Sequence, residues 1–376
     1  MNLPMAPTLP MIPDQAPLES LPDEEIAAMH DEVRALAAER NAVILAHNYQ
    51  VPEVQDVADY VGDSLGLSRR AAAVDSEVIV FCGVHFMAET ASILCPEKTV
   101  LIPDLDAGCS LATSIDAEQL ATWRAEHADG VVVMYVNTTA EVKALTDYCC
   151  TSANAVDVVR HIYETHGADT EILFGPDMWL GAYVEKELGK AMHVWDGECH
   201  VHAGIRPADI EATRAAHPGA DFLIHPECGC TTSVMEYVAS GDVSAEGVHM
   251  LSTGGMLRYA EDAESAIAGH GGNGHGQVAE PGLDTAAIDG EASADARRDA
   301  REVVVATETG MLYPLQMAAP DVEFIPANAE ASCVYMKMIT LPKLRDALRE
   351  MKFEVRVPEE IAVKARVPID RMVALG

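Results

Sequence analysis

Apolar positions in this chain fall in short unbroken runs, and the runs recur in one order three times. Residues 43–50 (VILAHNYQ), 131–139 (VVVMYVNTT) and 221–228 (DFLIHPEC) each pass from an apolar stretch into a polar signature. A second run follows each: VIVFCGVHFM from Val78, EILFGPDMWLG from Glu171 and VVVATETGML from Val303. A third run leads to a cysteine: VLIPDLDAGCSLA to Cys109, HVWDGECHVH to Cys199 and VEFIPANAEASCVYMK to Cys333. Cys109 and Cys199 lie 90 residues apart, and the second and third signatures also begin 90 residues apart. Self-similarity at a fixed period marks repeated structural units, here three, each delivering one thiol. A common central site with three protein ligands is the expectation.

The runs are rich in β-branched residues and lack the alternation of a half-exposed sheet, as parallel strands covered on both faces do. Helix-period segments lie between them, among them residues 52–61, 67–74, 155–165 and 181–188. Each unit reads strand, loop, helix, strand, helix, strand. This predicts an α/β fold of three pseudo-symmetric three-layer αβα domains, with parallel sheets and right-handed crossovers around a central site. The units are expected at 40–112, 113–202 and 203–345, with a leader and first helix at 1–39 and a C-terminal tail at 346–376. The third unit is longer, since 134 residues separate Cys199 from Cys333. The excess coincides with an acidic, Gly- and Ala-rich insertion at 261–299. That insertion is expected to be a mobile surface segment because it can bury little apolar area. Its His270 and His275 are expected to be solvated rather than ligands.

At 376 residues, 49% of them hydrophobic, the chain has material for two or three cores. No apolar stretch approaches the ~20 residues of a membrane span. Residues 1–20 are Pro-rich and acidic, without the basic start and apolar segment of a secretory signal, so a disordered leader and a cytoplasmic location are expected. The formal charge of −35 argues against nucleic acid and membrane surfaces as partners, because phosphate binding needs clustered Lys and Arg. It reads instead as a salt-adapted surface on which self-repulsion is screened. An anionic substrate then needs a local cationic or amide-rich site. Nine cysteines without an export signal point to metal or catalytic use rather than disulfides.

Ligands of α/β units sit at the carboxyl ends of the strands, so the three signatures should face one site. They offer His47, Asn48 and Tyr49, then Tyr135 and Asn137, then His225 and Glu227. Imidazole, phenol and carboxylate are groups of proton transfer. Any one of them alone reads equally well as a polar strand end; recurrence in three units weakens that reading. A small hydroxyl-bearing turn follows each signature: Gly62-Asp63-Ser64, Thr151-Ser152-Ala153-Asn154 and Ser252-Thr253-Gly254-Gly255. Backbone N–H groups at a helix start, with a hydroxyl alongside, bind carboxylate or phosphate without lysine.

The solitary cysteines Cys109, Cys199 and Cys333 do not fit the paired spacings of structural zinc. One thiolate from each unit suits a 4Fe–4S cluster with one iron left open, a Lewis acid able to hold substrate oxygens and promote loss of hydroxide. Cys149-Cys150 and Cys228-Gly229-Cys230, with His200 and His202 nearby, fit zinc poorly. They are expected as small reduced residues at the mouth of the site, and Cys82 and Cys95 as core.

The blocks AHNYQ, GDS, FCGVHFMAETA, DAGCSLA, YVNTTAEVKA, CCTSANA, HPEC, STGGM, TETGML and CVYMKMITLPKL stand in this order between Asn41 and Leu348. Together they resemble the quinolinate synthase family. The resemblance implies three α/β domains around a 4Fe–4S cluster whose three ligands match Cys109, Cys199 and Cys333. It implies condensation of iminoaspartate with dihydroxyacetone phosphate to quinolinate in de novo NAD biosynthesis. A functional link to an L-aspartate oxidase or dehydrogenase that makes the imine goes with it. Family substrate-binding positions map onto His47, Ser64, Tyr135, Val136, Asn137, Ser152, His225, Pro226, Glu227 and Thr253. Tyr49 and Glu227 match positions assigned to proton transfer, with His225 a further candidate for the shuttle and His202 an active-site neighbour. Two other readings stay open here: an open-iron hydro-lyase, and a non-catalytic iron–sulfur sensor.

Overall fold

A computed structural model describes residues 21–241, 247–270 and 302–375. Among these residues, twelve strands form three separate sheets. The first holds β1 (Ala42–His47), β2 (Tyr60–Gly62), β3 (Val78–Cys82) and β4 (Thr99–Leu101). The second holds β5 (Val131–Tyr135), β6 (Tyr148–Cys150), β7 (Ile172–Gly175) and β8 (His193–Val194). The third holds β9 (Asp221–Ile224), β10 (Val248–Met250), β11 (Glu302–Ala306) and β12 (Glu323–Pro326). The strand orders are β2-β1-β3-β4, β6-β5-β7-β8 and β10-β9-β11-β12, one topology repeated. Every neighbouring pair is parallel. The chain is thus an α/β protein of three parallel four-stranded sheets interleaved with helices.

The central strands explain the unbroken apolar runs. All of β3, β7 and β9 is buried, because helices cover both faces of each sheet. Each fully buried Leu, Ile or Phe contributes ~1.5–3 kcal/mol of transfer free energy. The order within each sheet reverses between its first and third strands in sequence, which opens a crevice at their carboxyl ends.

Three expectations about element boundaries need correction. Residues 52–61 were expected to be helical, but the helix is only Pro52–Gln55 and the chain turns at once into β2. Asp59 causes the switch: its N–H donates to the Ile44 carbonyl at 2.9 Å, and its Oδ2 accepts the Ile44 N–H at 2.7 Å. Asp147 repeats this on Val132 in the second unit, at 3.0 and 2.9 Å. The insertion does not begin at residue 261, because the helix Thr253–His270 continues through it, with Ala263 and Ile267 packed on the core. Residues 271–299, with His275, lie outside the described residues, as does the leader at 1–20.

The third correction concerns the tail. Residue 345 falls inside the helix Leu341–Glu350, and a further helix, Glu359–Ala374, follows. The second helix ties the first two units together. Asn154 Nδ2 donates to the Met372 carbonyl at 3.0 Å, Arg371 to the Asp147 carbonyl at 2.6 Å and Arg366 to the Leu94 carbonyl at 2.8 Å. Among the described residues no helix is long and apolar enough to cross a membrane.

Candidate active site

Strand register brings each signature beside its hydroxyl turn. His47 pairs with Gly62, Tyr135 with Cys150 and Ile224 with Met250. Ser64 and Ser152 follow their strands by two residues and Thr253 by three, so each hydroxyl sits next to the end of a central strand. A cavity collects all three ends. His47, Tyr49 and Ser64 line it from the first unit, Tyr135, Asn137 and Ser152 from the second, and His225, Glu227 and Thr253 from the third. Cys109, Cys199 and Cys333 line it as well. Val136 and Pro226 are buried beside this cavity and are not among its lining residues.

The two signature histidines are held alike. His47 Nδ1 accepts the Tyr49 N–H at 3.2 Å, and His225 Nδ1 accepts the Glu227 N–H at 3.4 Å. That bond leaves the ring proton on Nε2, where His225 meets Ser152 Oγ at 3.1 Å. Burial, reinforced by neighbouring imidazoles, lowers the pKa of His47 to about 3 and of His225 to about 4, so both rings are neutral donors.

Glu227, only 3% exposed, is the carboxylate among the three strand-end signatures. The Tyr135 hydroxyl donates to its Oε1, and His202 Nδ1 lies 3.3 Å from its Oε2. Burial opposes its charge, yet the facing His225 and His202 and the Tyr135 hydroxyl hold it below the usual carboxylate range. His202 is also buried, which disfavours protonation, but Cys199 and Glu227 beside it raise its pKa well above the ordinary value. The His202 ring stacks on His225 with centroids 4.9 Å apart. Tyr49 reaches this group through His202, with its hydroxyl 3.2 Å from Nε2 and 2.6 Å from Thr307 Oγ1. Asn137 Oδ1 is buried and has no protein partner, an acceptor left over for a bound molecule.

The cysteines divide sharply. All nine are free; six are buried, and Cys109, Cys199 and Cys333 alone are partly exposed, each into the cavity. The N–H groups of Ala112 and Leu111 lower the pKa of Cys109, those of Met336 and Tyr335 that of Cys333, and the His202 ring that of Cys199. Such donors favour thiolates. Burial otherwise pushes the Cys109 thiol up to about 12 and Cys333 to about 11, so a cation is needed to hold them deprotonated. Cys199, His202 and Glu227 also bring three ligand atoms within 4.8 Å of one another, a grouping that leaves Cys109 and Cys333 unused. Cys149, Cys150, Cys228 and Cys230 are not at the mouth of the site. The first two lie in β6 and all four are fully buried, with Cys228 Sγ bonded to the Ala306 carbonyl at 3.0 Å. Cys82 and Cys95 are buried too.

Several lining residues were not singled out from the sequence, namely Ser110, Glu308 and Tyr335, and His200 was weighed only as a neighbour of a zinc motif. Ser110 Oγ and His200 Nδ1 meet at 2.6 Å and join the first two cysteine loops. Their adjacency to Cys109 and Cys199 was the available signal.

Fold and cavity define a triplicated α/β protein with a central pocket of thiols, imidazoles, phenols and carboxylates that are each engaged by donors. Residues 31–268 and 280–374 match the quinolinate synthetase A protein family, and the chain belongs to it. It is 52% identical over 349 residues to a quinolinate synthase of Thermus thermophilus, covering 93% of this chain and 98% of that one. It is 51% identical over 355 residues to a quinolinate synthase of Mycobacterium tuberculosis, covering 94% and 90%. A quinolinate synthase of a Mycobacterium species (strain KMS) is 50% identical over 356 residues, covering 94% and 93%.

Proposed function

We propose that this protein condenses iminoaspartate with dihydroxyacetone phosphate to give quinolinate, phosphate and two waters, a step of de novo NAD biosynthesis. The observation that carries the reading is the convergence of three partly exposed thiols, one from each unit, on the cavity that holds the His, Tyr and Glu signatures. Three thiols with N–H donors and no fourth cysteine among the described lining residues fit a 4Fe–4S cluster with one open iron. Cys109, Cys199 and Cys333 would hold it, and when bound it supplies Lewis acidity toward a leaving hydroxyl.

The chain's own groups do the rest. Ser64, Ser152 and Thr253, beside helix starts, bind the phosphate and carboxylates through hydroxyl and N–H donors. The neutral Nε2–H groups of His47 and His225 donate to substrate oxygens without adding charge. Asn137 Oδ1 accepts from the substrate amine or a hydroxyl. Glu227 takes protons during enamine formation, isomerisation and the dehydrations, with Tyr49 and His202 relaying them. The buried walls keep water from the labile imine.

The test is anaerobic: iron and sulfide content, then quinolinate formation from both substrates. About four irons per chain with quinolinate formed supports the reading. A loaded cluster without quinolinate, or zinc in place of iron, overturns it. Alanine at any one of the three cysteines should abolish cluster retention.

A further inference from the structure

Each cysteine loop is fastened to the end of its sheet by one shared main-chain bond. His85 N–H donates to the Ala107 carbonyl at 2.7 Å, Met178 N–H to Gly197 and Thr309 N–H to Ala331, both at 2.8 Å. In every case the acceptor lies two residues before the cysteine, and the donor follows β3, β7 or β11 by three residues. The residue just before the donor differs among the units: Val84, Asp177 and Glu308. The two acids are buried, at 0% and 1% exposure. Asp177 Oδ2 accepts the Cys199 N–H at 3.2 Å, while its Oδ1 caps the helix Met178–Leu188 through Trp179 and Leu180 at 2.7 and 3.0 Å. Glu308 Oε1 accepts the Cys333 N–H at 2.9 Å, and its Oε2 accepts from Gly310 at 2.7 Å. Lys337 Nζ, 2.9 Å from Oε1, joins Glu308 to the Tyr49 carbonyl.

We propose that Asp177 and Glu308 are positioning residues that fix the main chain of Cys199 and Cys333 for cluster binding, a role the first unit leaves to its main-chain bond alone. The inference rests on the cluster reading above. The fold does not need these acids, since the first unit builds the same loop attachment with Val84. Each acid instead spends one oxygen on the N–H of the ligand cysteine itself. Fixing that N–H fixes the Cα and the direction of the thiol, which lowers the ordering cost of metal binding.

Asn and Gln are the sharp probes. Asp177→Asn keeps shape and one acceptor for the helix cap, but sets an NH₂ against the Cys199 N–H. Glu308→Gln does the same at Cys333. Holoprotein loaded anaerobically is given excess chelator, and iron release is followed by absorbance. Val33→Ala, a buried site on the helix Asp23–Glu39 remote from the cavity, is the stability control, with urea midpoints measured for all. The expected result is release roughly 10- to 100-fold faster in either acid variant. Val33→Ala, at an equal or larger drop in midpoint, should release iron at the wild-type rate. Wild-type rates in D177N and E308Q overturn the inference. So does equally fast release from V33A, which would make the effect one of general stability. A wild-type chain that takes up no iron and sulfide overturns the cluster reading itself, and is told apart because no variant is needed to see it.

Discussion

Replacing Glu227 by Gln changes one atom of a side chain that is 3% exposed, so the fold has little to repack. The chemistry changes more. In the wild type Oε1 accepts from the Tyr135 hydroxyl, and Oε2 faces His202 Nδ1 at 3.3 Å as an ion pair. Gln offers one acceptor and an NH₂, so one of these two donors loses its partner. The net cost to folding is ~1–3 kcal/mol, partly offset because a charge is no longer buried. The cost to catalysis is larger. A positioned general base contributes about 10²- to 10⁴-fold, or ~2.7–5.5 kcal/mol of activation free energy. In the proposed role Glu227 acts on protons rather than on ground-state binding, so kcat should fall by that factor while KM stays within about threefold. The assay is anaerobic quinolinate formation at matched iron content. A kcat within threefold of wild type at equal iron would refute the assignment. A fall in kcat that merely tracks lost iron would refute it equally, by making Glu227 a support of the cluster.

Ser152→Ala removes the hydroxyl 3.1 Å from His225 Nε2 and should raise KM roughly tenfold with little change in kcat; an unchanged KM takes Ser152 out of substrate binding. Gly310→Ala should destabilise by ~1–3 kcal/mol, because a Cβ there would lie 2.7 Å from Lys337 Nζ and 2.8 Å from the Tyr49 carbonyl, and urea midpoints check it. His47 and His225 titrate at about 3 and about 4 folded, against 6.5 unfolded. The unfolded chain therefore binds more protons below pH 6.5, and stability is lost as pH falls from there toward 4, with no contribution above. Each histidine approaches ~1.4 kcal/mol per pH unit well below 6.5 and contributes about half that slope at 6.5, so the pair loses roughly 3 kcal/mol between pH 6.5 and 5; His225→Gln should remove about half of that loss in urea titrations at the two pH values.

The central strands were legible because burial on both faces leaves long apolar runs, and their triplication marks the units. The outer strands were not. Tyr60–Gly62 is three residues of intermediate burial, and its pairing depends on Asp59 meeting the Ile44 main chain across a turn. Nothing in hydropathy distinguishes that Asp from a solvated one. Helix Glu359–Ala374 carries an internal Pro368 and ends the chain, which makes a packed clamp look like a tail. In the site, His47, Tyr135 and Glu227 could be read because they end the repeated strands. Cys149-Cys150 misled because a paired thiol motif inside a three-residue strand carries no mark of burial. Asp177 and Glu308 stood in the second run of two units only, so the threefold comparison that exposed the cysteines passed over them.

A chain of net charge −35 that takes the anionic substrates proposed above poses an electrostatic problem, and the cavity answers it locally. Among the described residues three carboxylates line it, and each is engaged by donors. Asp63 Oδ1 caps its helix through Gly66 N–H at 2.8 Å. Glu227 faces Tyr135 and His202. Glu308 takes two N–H groups and Lys337. The surface charge is screened over ~10 Å or less in salt, whereas buried donors act at hydrogen-bond distance and are little screened. Hydroxyl turns, neutral Nε2–H groups and helix starts therefore set the field an anionic substrate meets. The acidity of the exterior can vary without disturbing it. Neutralising exposed acids far from the cavity should accordingly change the salt dependence of solubility and leave the KM for either substrate unaltered at moderate salt.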